Sequence, residues 1–172
     1  MRVDDHVNDI VDLVTACVCD EFADEPLCFC GRIAGQMAYD AMGVGGECYD
    51  DDGDPLDTSS CGQVWTRLSM AYPAQAVGQP MAIPDNCGAS IGLTLELGAL
   101  RCIRIEASGD PLPAEEMLEA TRLQTADMLA LVRAVKCCAA LDGNQYILGQ
   151  YTPIGPEGGV VGGVWSLSIL VD

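Results

Sequence analysis

Ten cysteines are the residues of this 172-residue chain best suited to chemistry. Six of them lie in close pairs, at Cys17 and Cys19, Cys28 and Cys30, and Cys137 and Cys138. The other four, Cys48, Cys61, Cys87 and Cys102, stand alone in the sequence. Paired thiols can form disulfides, hold a metal ion or take part in redox catalysis. The six paired cysteines are therefore the candidate disulfide or thiol sites.

Three interpretations of the cysteines stay open. The first is that most are small, buried apolar residues, as reduced cysteines commonly are. The opening sequence MRVDDHVNDIVDLV agrees with this interpretation of reduced cysteines. It is acidic and amphipathic, unlike a signal or transit peptide, and so indicates a reducing compartment. Disulfides formed after release from the cell are the second interpretation, and a structural metal site is the third.

The spacing of the pairs disfavours both zinc and redox catalysis. Zinc ligands usually come in pairs separated by two to four residues, and residues i and i+2 of a helix lie on different faces, which separates Cys17 from Cys19. A redox catalyst favours a Cys-x-x-Cys motif, which the chain lacks. A disulfide between the end of a helix and the following strand is favoured instead, because a short turn at 24–26 can bring the first two pairs together.

Other catalytic or metal-binding patterns are weak. His6 is the single histidine and lies in the first turn of a predicted helix, where we expect a solvated side chain. No motif surrounds a serine or cysteine nucleophile. The acidic run from Asp50 does not fit an EF-hand loop, because its sixth position is Pro55 and its twelfth is Cys61. We therefore expect no catalytic, cofactor-binding or metal-binding residues and no enzyme activity.

Composition predicts one globular domain over residues 1–172. The chain has a mass of 18.1 kDa, 49% hydrophobic residues and 20% charged residues. Its formal net charge of −18 repels the phosphate backbone, so sequence-specific DNA binding is not expected. The longest apolar runs fall short of the roughly 18 residues that a membrane span needs, so no membrane partner is expected.

Hydrophobic periodicity and turn residues predict the order of elements. A helix is expected at 4–22, with an apolar stripe at Val7, Ile10, Val11, Val14 and Val18. A short apolar stretch at 27–35 resembles a strand. An acidic loop follows at 43–62, then strands at about 63–73 and 90–107, a helix at 113–139 and a C-terminal hairpin at 145–171. Pro73 is expected to end the first of these long strands.

Alternation and helical spacing also predict which residues share a face. In the strand at 63–73, one face is expected to carry Val64, Thr66, Leu68, Met70 and Tyr72. In the strand at 90–107, the apolar alternation is interrupted only by Arg101. The second helix is expected to bury Met117, Leu118, Thr121, Met128, Leu131, Val132 and Val135. The fold class predicted is α+β, with a mainly antiparallel sheet of about four strands and two helices packed on one face.

Three segments resemble the tail terminator proteins of long-tailed actinobacteriophages, which are components of the head-to-tail connector. The first is the cysteine-rich stretch ACVCDEF…PLCFCGRIAG. The second is the strand pair CGQVWTRLSMAYP and LTLELGALRCIRI. The third is the closing pattern GQYTPIGPEGGVVGGVWSLSILVD, which follows a long helix ending in Cys137 and Cys138. The resemblance spans most of the chain and agrees in element order, and none of these patterns is a chemical signature.

The resemblance implies a tail-terminator-like fold and a structural role in the virion. Such proteins form a hexameric ring that caps the tail tube, ends its polymerisation and joins it to the head connector. The implied partners are other copies of the chain, the tail tube protein and a stopper or connector protein, while DNA passes through the channel without specific binding. The implied location is the head–tail interface of the virion, after assembly in the host cytoplasm.

Two alternatives remain beside the terminator. A head-to-tail stopper or adaptor shares the ring architecture but seals the packaged head. A small cytosolic metal- or redox-active protein built on the cysteine pairs belongs to a different class. For a ring subunit, the loops at 43–62 and 73–87 and the hairpin are the expected contacts with neighbours.

Overall fold

The computed structural model describes residues 3–24, 27–35, 62–82, 90–102, 113–157 and 160–171. In these ranges the chain is α+β, with two helices and a mixed sheet of six strands. The elements are α1 (Val3–Glu21), β1 (Phe29–Arg32), β2 (Gly62–Ala76), β3 (Gln79–Pro80), β4 (Ser90–Cys102), α2 (Ala114–Lys136), a 3₁₀ turn (Ala139–Leu141), β5 (Gln145–Glu157) and β6 (Val160–Val171). The predicted acidic loop, apart from Gly62, and the strand continuation at 103–107 lie outside the described residues.

The sheet has the order β1-β2-β4-β6-β5, with β3 paired to β2 off this path. The expected count of about four strands is wrong, and the sheet is mixed because β1 runs parallel to β2. Pro73 does not end β2 either, since its carbonyl accepts the Met81 N–H at 2.9 Å and the strand continues to Ala76. The chain then turns at Gly78, whose φ of 72° favours glycine, and returns as β3.

Both helices pack on the same face of the sheet. Along β4 the residues from Leu93 to Ala99 alternate, and every odd-numbered one is buried in the core shared with α1 and α2. The apolar stripe predicted for α1 is buried there as well, with Val11, Val14 and Val18 at most 1% exposed. Within the described ranges, neither helix is long and apolar enough to cross a membrane.

A β-bulge changes which residues of β2 face the helices. Up to Leu68 the even-numbered residues share one face, as predicted, and this face lies on the helix side. The register shifts between Leu68 and Met70, and from there Met70 and Tyr72 lie on the opposite face, with Trp65. The expectation that they share a face with Val64, Thr66 and Leu68 is wrong, because the extra residue of a bulge reverses the alternation.

The buried stripe of α2 differs from the predicted one. The side chains buried there are Ala120, Asp127, Ala130, Leu131, Ala134 and Val135. Leu118 is 52% exposed and Thr121 is also exposed, so the expectation that these two are buried is wrong. Alanines meet the core along much of this stripe, and the larger Leu118 is left on the outer side of the helix.

The C-terminal hairpin expected at 145–171 corresponds to β5 and β6, which pair in antiparallel register. Tyr151 lies opposite Trp165, and their ring centroids are 5.5 Å apart. The register of β5 shifts between Leu148 and Tyr151 and again beyond Ile154. The hairpin therefore forms one side of the sheet. Its strand β6 lies between β4 and β5, and β5 is the edge strand.

Candidate functional site

Two disulfides join the C-terminal part of α1 to other elements. Cys17 is bonded to Cys138, directly after α2, and Cys19 is bonded to Cys30 in β1. The Cα atoms are 5.6 Å and 5.7 Å apart, within the usual range for disulfides. Residues i and i+2 of a helix point in different directions, so the two thiols of α1 reach two different partners. The pair of bonds links α1, β1 and the end of α2.

The remaining paired cysteines have different states. Cys28 is also disulfide-bonded. Cys137 is an exposed free thiol, although its neighbour Cys138 is buried and bonded. The interpretation that most of these cysteines are reduced apolar residues is therefore wrong for the described chain. The disulfide expected between the end of the first helix and the next strand is present as Cys19–Cys30.

Nothing in the described part of the chain assembles a metal site or a catalytic triad around the residues considered from sequence. Across the described ranges, no three His, Cys, Asp or Glu side chains are placed to hold one ion. His6 is partly exposed on the first turns of α1. The acidic run from Asp50 lies outside the described residues, so its interpretation stays a prediction.

A buried ion pair connects the sheet to α2, and sequence analysis missed it. The Arg101 guanidinium donates from Nε to Asp127 Oδ2 at 2.9 Å and from its second terminal nitrogen to Asp127 Oδ1 at 2.7 Å. The two side chains are 9% and 5% exposed. The guanidinium also lies over the ring of Phe22, 5.9 Å from its centroid. Arg101 is thus the helix-facing residue where the apolar alternation of β4 stops, and its charge is paired inside the protein.

Aromatic and amide side chains surround this ion pair. Burial, and secondly the negative charge of Asp127, raises the pKa of Tyr151 to about 12. The Trp165 indole N–H donates to the Met128 carbonyl at 3.1 Å, and the Gln124 amide donates to the Gly162 carbonyl. These contacts tie the middle of α2 to the hairpin, so the group is a structural junction between the helical layer and the sheet.

Helical spacing contains a signal for this junction. Asp127 precedes Ala130, Leu131 and Ala134 by three, four and seven residues, which places it on their side of α2. An acid on a buried helix stripe and a base on a buried strand face indicate a pair, because an isolated buried charge is costly. Pairing Asp127 with Arg101 from sequence requires knowing which side of α2 is buried, and the apolar stripe predicted for α2 did not include Asp127.

A cleft of about 580 Å³ opens beside β1. It is lined by Asn8, Arg32, Ile33, Ala34, Gly35 and Leu68. The Arg32 guanidinium donates to Asp12 and to Asn8, both at 2.9 Å, so its charge already has partners on α1. These hydrogen bonds hold β1 against α1. The two polar side chains among the lining residues, Asn8 and Arg32, bond to each other.

The strand β5 lies at the edge of the sheet and is uncharged over most of its length. No charged residue occurs between Gln145 and Gly155. Tyr146 and Ile147 are 37% and 50% exposed, and they lie on opposite faces of the strand. By contrast, the exposed face of α1 is acidic, with Asp5, Asp9, Asp12 and Asp20. An exposed apolar edge is a ready template for pairing with another strand.

The described chain is thus an α+β protein with a disulfide-linked helical layer on one side of its sheet and an edge strand that is uncharged from Gln145 to Gly155. Comparison with known proteins adds no family to this description. No family model and no curated protein matches the chain.

Proposed function

We propose that this protein is a structural subunit of a phage virion, a tail terminator that forms a ring on the tail tube. In this role it ends polymerisation of the tube and joins it to the head connector, with no catalytic activity of its own. The resemblance of the three sequence segments supports the proposal. In the structure each segment contributes to a local unit: the Cys19–Cys30 link, the β2–β4 pair and the β5–β6 hairpin.

The observation that carries the proposal is the layered shape of the subunit. Both helices lie on one face of the sheet, and in the described chain β1 and β5 each have a hydrogen-bonded strand on only one side. A subunit of this shape can be repeated side by side, because each copy offers one edge to each neighbour. Such head-to-tail contacts form a ring when the rotation between copies closes.

Charge supports the same role. Six copies would carry 6 × (−18) = −108, a strongly negative assembly. Double-stranded DNA carries a dense negative backbone, so a ring of this charge repels it and lets it pass without adhering. Replacing channel-facing acids with neutral residues is expected to slow DNA ejection, and unchanged ejection kinetics would contradict this part of the proposal.

Electron microscopy of particles made by a phage that lacks this gene tests the role directly. We expect full heads separate from tails that have grown far beyond normal length. Tails of normal length beside leaky or empty heads would instead support a head-to-tail stopper or adaptor. Intact infectious particles would reject both virion roles. The control is the same phage with the gene supplied in trans, which should restore normal particles.

The exposed Cys137 thiol favours one candidate from a different class, a small thiol-dependent redox protein. This thiol is adjacent in sequence to the Cys17–Cys138 disulfide, the arrangement from which thiol–disulfide exchange can proceed. With a small external thiol as the reductant, purified protein with Cys137→Ser would then lose the thiol–disulfide exchange activity that the wild type shows toward a model disulfide. A terminator predicts no such activity in either protein and normal particles from the Cys137→Ser phage.

A further inference from the structure

The two outer strands of the sheet run in opposite directions. β1 is parallel to β2, and each following pair along the path β2-β4-β6-β5 is antiparallel. β5 therefore runs opposite to β1. When a second copy continues the sheet in the same orientation, its β1 lies antiparallel to the β5 of the first copy. Antiparallel pairing is the commoner arrangement and slightly the more stable one per residue.

The two edges also match in length. β1 has four residues, Phe29–Arg32. The regular part of β5 before its register shift also has four, from Gln145 opposite Leu170 to Leu148 opposite Leu167. Each segment carries exposed apolar surface, with Phe29 38% exposed on β1 and Ile147 50% exposed on β5. A short edge of this kind is completed by one short strand.

Charge favours contact between copies at this edge over contact at the acidic face of α1. Two chains with a net charge of −18 repel each other wherever their acidic faces meet, as at α1. The segment from Gln145 to Gly155 has no charge, so another copy can approach there at less electrostatic cost than at the acidic face of α1. On β1, the positive charge of Arg32 is already paired with Asp12 at 2.9 Å and adds no unpaired charge to the contact.

We propose that the edge segment Gln145–Leu148 of β5 binds the β1 strand Phe29–Arg32 of a second copy as an antiparallel neighbour. This inference rests on the ring proposed above and names the contact that builds it. Each copy gives one edge and receives the other, so the contact is head-to-tail, and the helices of all copies lie on the same side of the continuous sheet. Closing the ring removes both open edges.

Three variants of the full chain test this pairing. The β5 variant is Tyr146→Glu/Ile147→Glu, and the β1 variant is Phe29→Glu. The matched control is Leu118→Glu/Leu129→Glu, because these α2 residues are 52% and 48% exposed and belong to neither edge strand. Glutamates inside the contact are desolvated and repel the acidic neighbour, so each edge variant should raise the dissociation constant at least about 30-fold. The control should assemble like the wild type.

Mixing the two edge variants gives the sharpest readout. The β5 variant retains a normal β1 edge, and the β1 variant retains a normal β5 edge. Native mass spectrometry of the mixture should therefore show a one-to-one complex of about twice the 18.1 kDa chain mass and nothing larger. Circular dichroism and thermal melting of each variant show whether it is folded. Hydrogen exchange on the wild-type protein needs no variant, and amides at 145–148 should become protected on assembly.

Several results would overturn the pairing. Normal assembly of the Phe29→Glu variant beside failure of the β5 variant would indicate that β5 pairs with itself or with another partner. Normal assembly of both variants, or unchanged exchange at 145–148, would remove the sheet edges from the interface while leaving the ring function intact. A wild-type chain that stays monomeric also overturns the pairing. The gene-deletion microscopy is scored independently and decides the terminator role.

Discussion

Removing the positive member of the buried ion pair should destabilise the protein strongly. Arg101→Met keeps a long, flexible apolar side chain in place of the arginine but leaves the Asp127 carboxylate, 5% exposed, without its two charged hydrogen bonds. An uncompensated buried charge costs about 3–5 kcal/mol, far more than the loss of a surface pair. The double variant Arg101→Met/Asp127→Leu removes both charges and should recover most of that loss, since apolar replacement of a buried pair is often close to neutral.

Urea unfolding followed by far-UV circular dichroism measures this effect. For a chain of this size the urea m-value is about 2 kcal/mol per molar, so the loss corresponds to a drop of about 1.5–2.5 M in the midpoint. The control is Arg133→Met, whose pair with Glu21 at 2.6 Å is solvent-exposed on the arginine side and should contribute less than about 1 kcal/mol.

Two results would refute the reasoning about the junction. The first is a urea midpoint for Arg101→Met that differs from the wild-type midpoint by no more than the midpoint of the Arg133→Met control does. The second is a double variant as unstable as Arg101→Met alone, which would mean that packing of the arginine stem, and not the unpaired carboxylate, carries the effect. A double-mutant cycle over the pair separates these contributions.

Three further predictions concern the hairpin, the disulfides and the sheet. Burial and a nearby carboxylate raise the pKa of Tyr151 to about 12, so its contribution to stability is present below pH 10 and is lost as the pH rises through about 12. The wild type should therefore lose stability in this pH range relative to Tyr151→Phe, and parallel curves of stability against pH would contradict this. The two disulfides close loops with sequence separations of 121 and 11 residues, so loop entropy predicts that Cys138→Ala lowers the free energy of unfolding by about 5 kcal/mol and Cys30→Ala by about 3 kcal/mol. Equal urea midpoints for the two variants would reject this order. Gly98→Ala places a Cβ against the Trp65 ring and should cost about 1–3 kcal/mol, whereas a wild-type melting curve would show that the ring moves freely.

Elements with a strong local pattern could be predicted from the sequence. The apolar stripe of α1 and the pairing of β5 with β6 depend on spacing and turns within a short stretch of chain, and the structure has both. The strand expected at 27–35 is present as β1, but its parallel pairing joins distant segments and β3 has only two residues. The strand count and the mixed character of the sheet therefore did not follow from local patterns.

The phase of β2 and the orientation of α2 show where local pattern fails. One bulge residue between Leu68 and Met70 exchanges the two faces of the strand, and no glycine or proline marks the position. In α2, apolar residues occur on more than one side, and the choice among them depends on which side fits closely against the sheet. Alanines such as Ala130 and Ala134 are buried there, while Leu118 is exposed.

The sequence by itself determined the fold class and the acidic charge, and it identified the cysteine pairs as the candidate disulfide sites. Only the tertiary structure decided which thiols meet, because Cys17 and Cys138 are 121 residues apart and come together through the packing of two helices on one sheet. The same packing brings Arg101 of β4 to Asp127 of α2. Helical and strand periodicity report the side on which a residue lies, whereas its partner there depends on how distant elements pack in three dimensions.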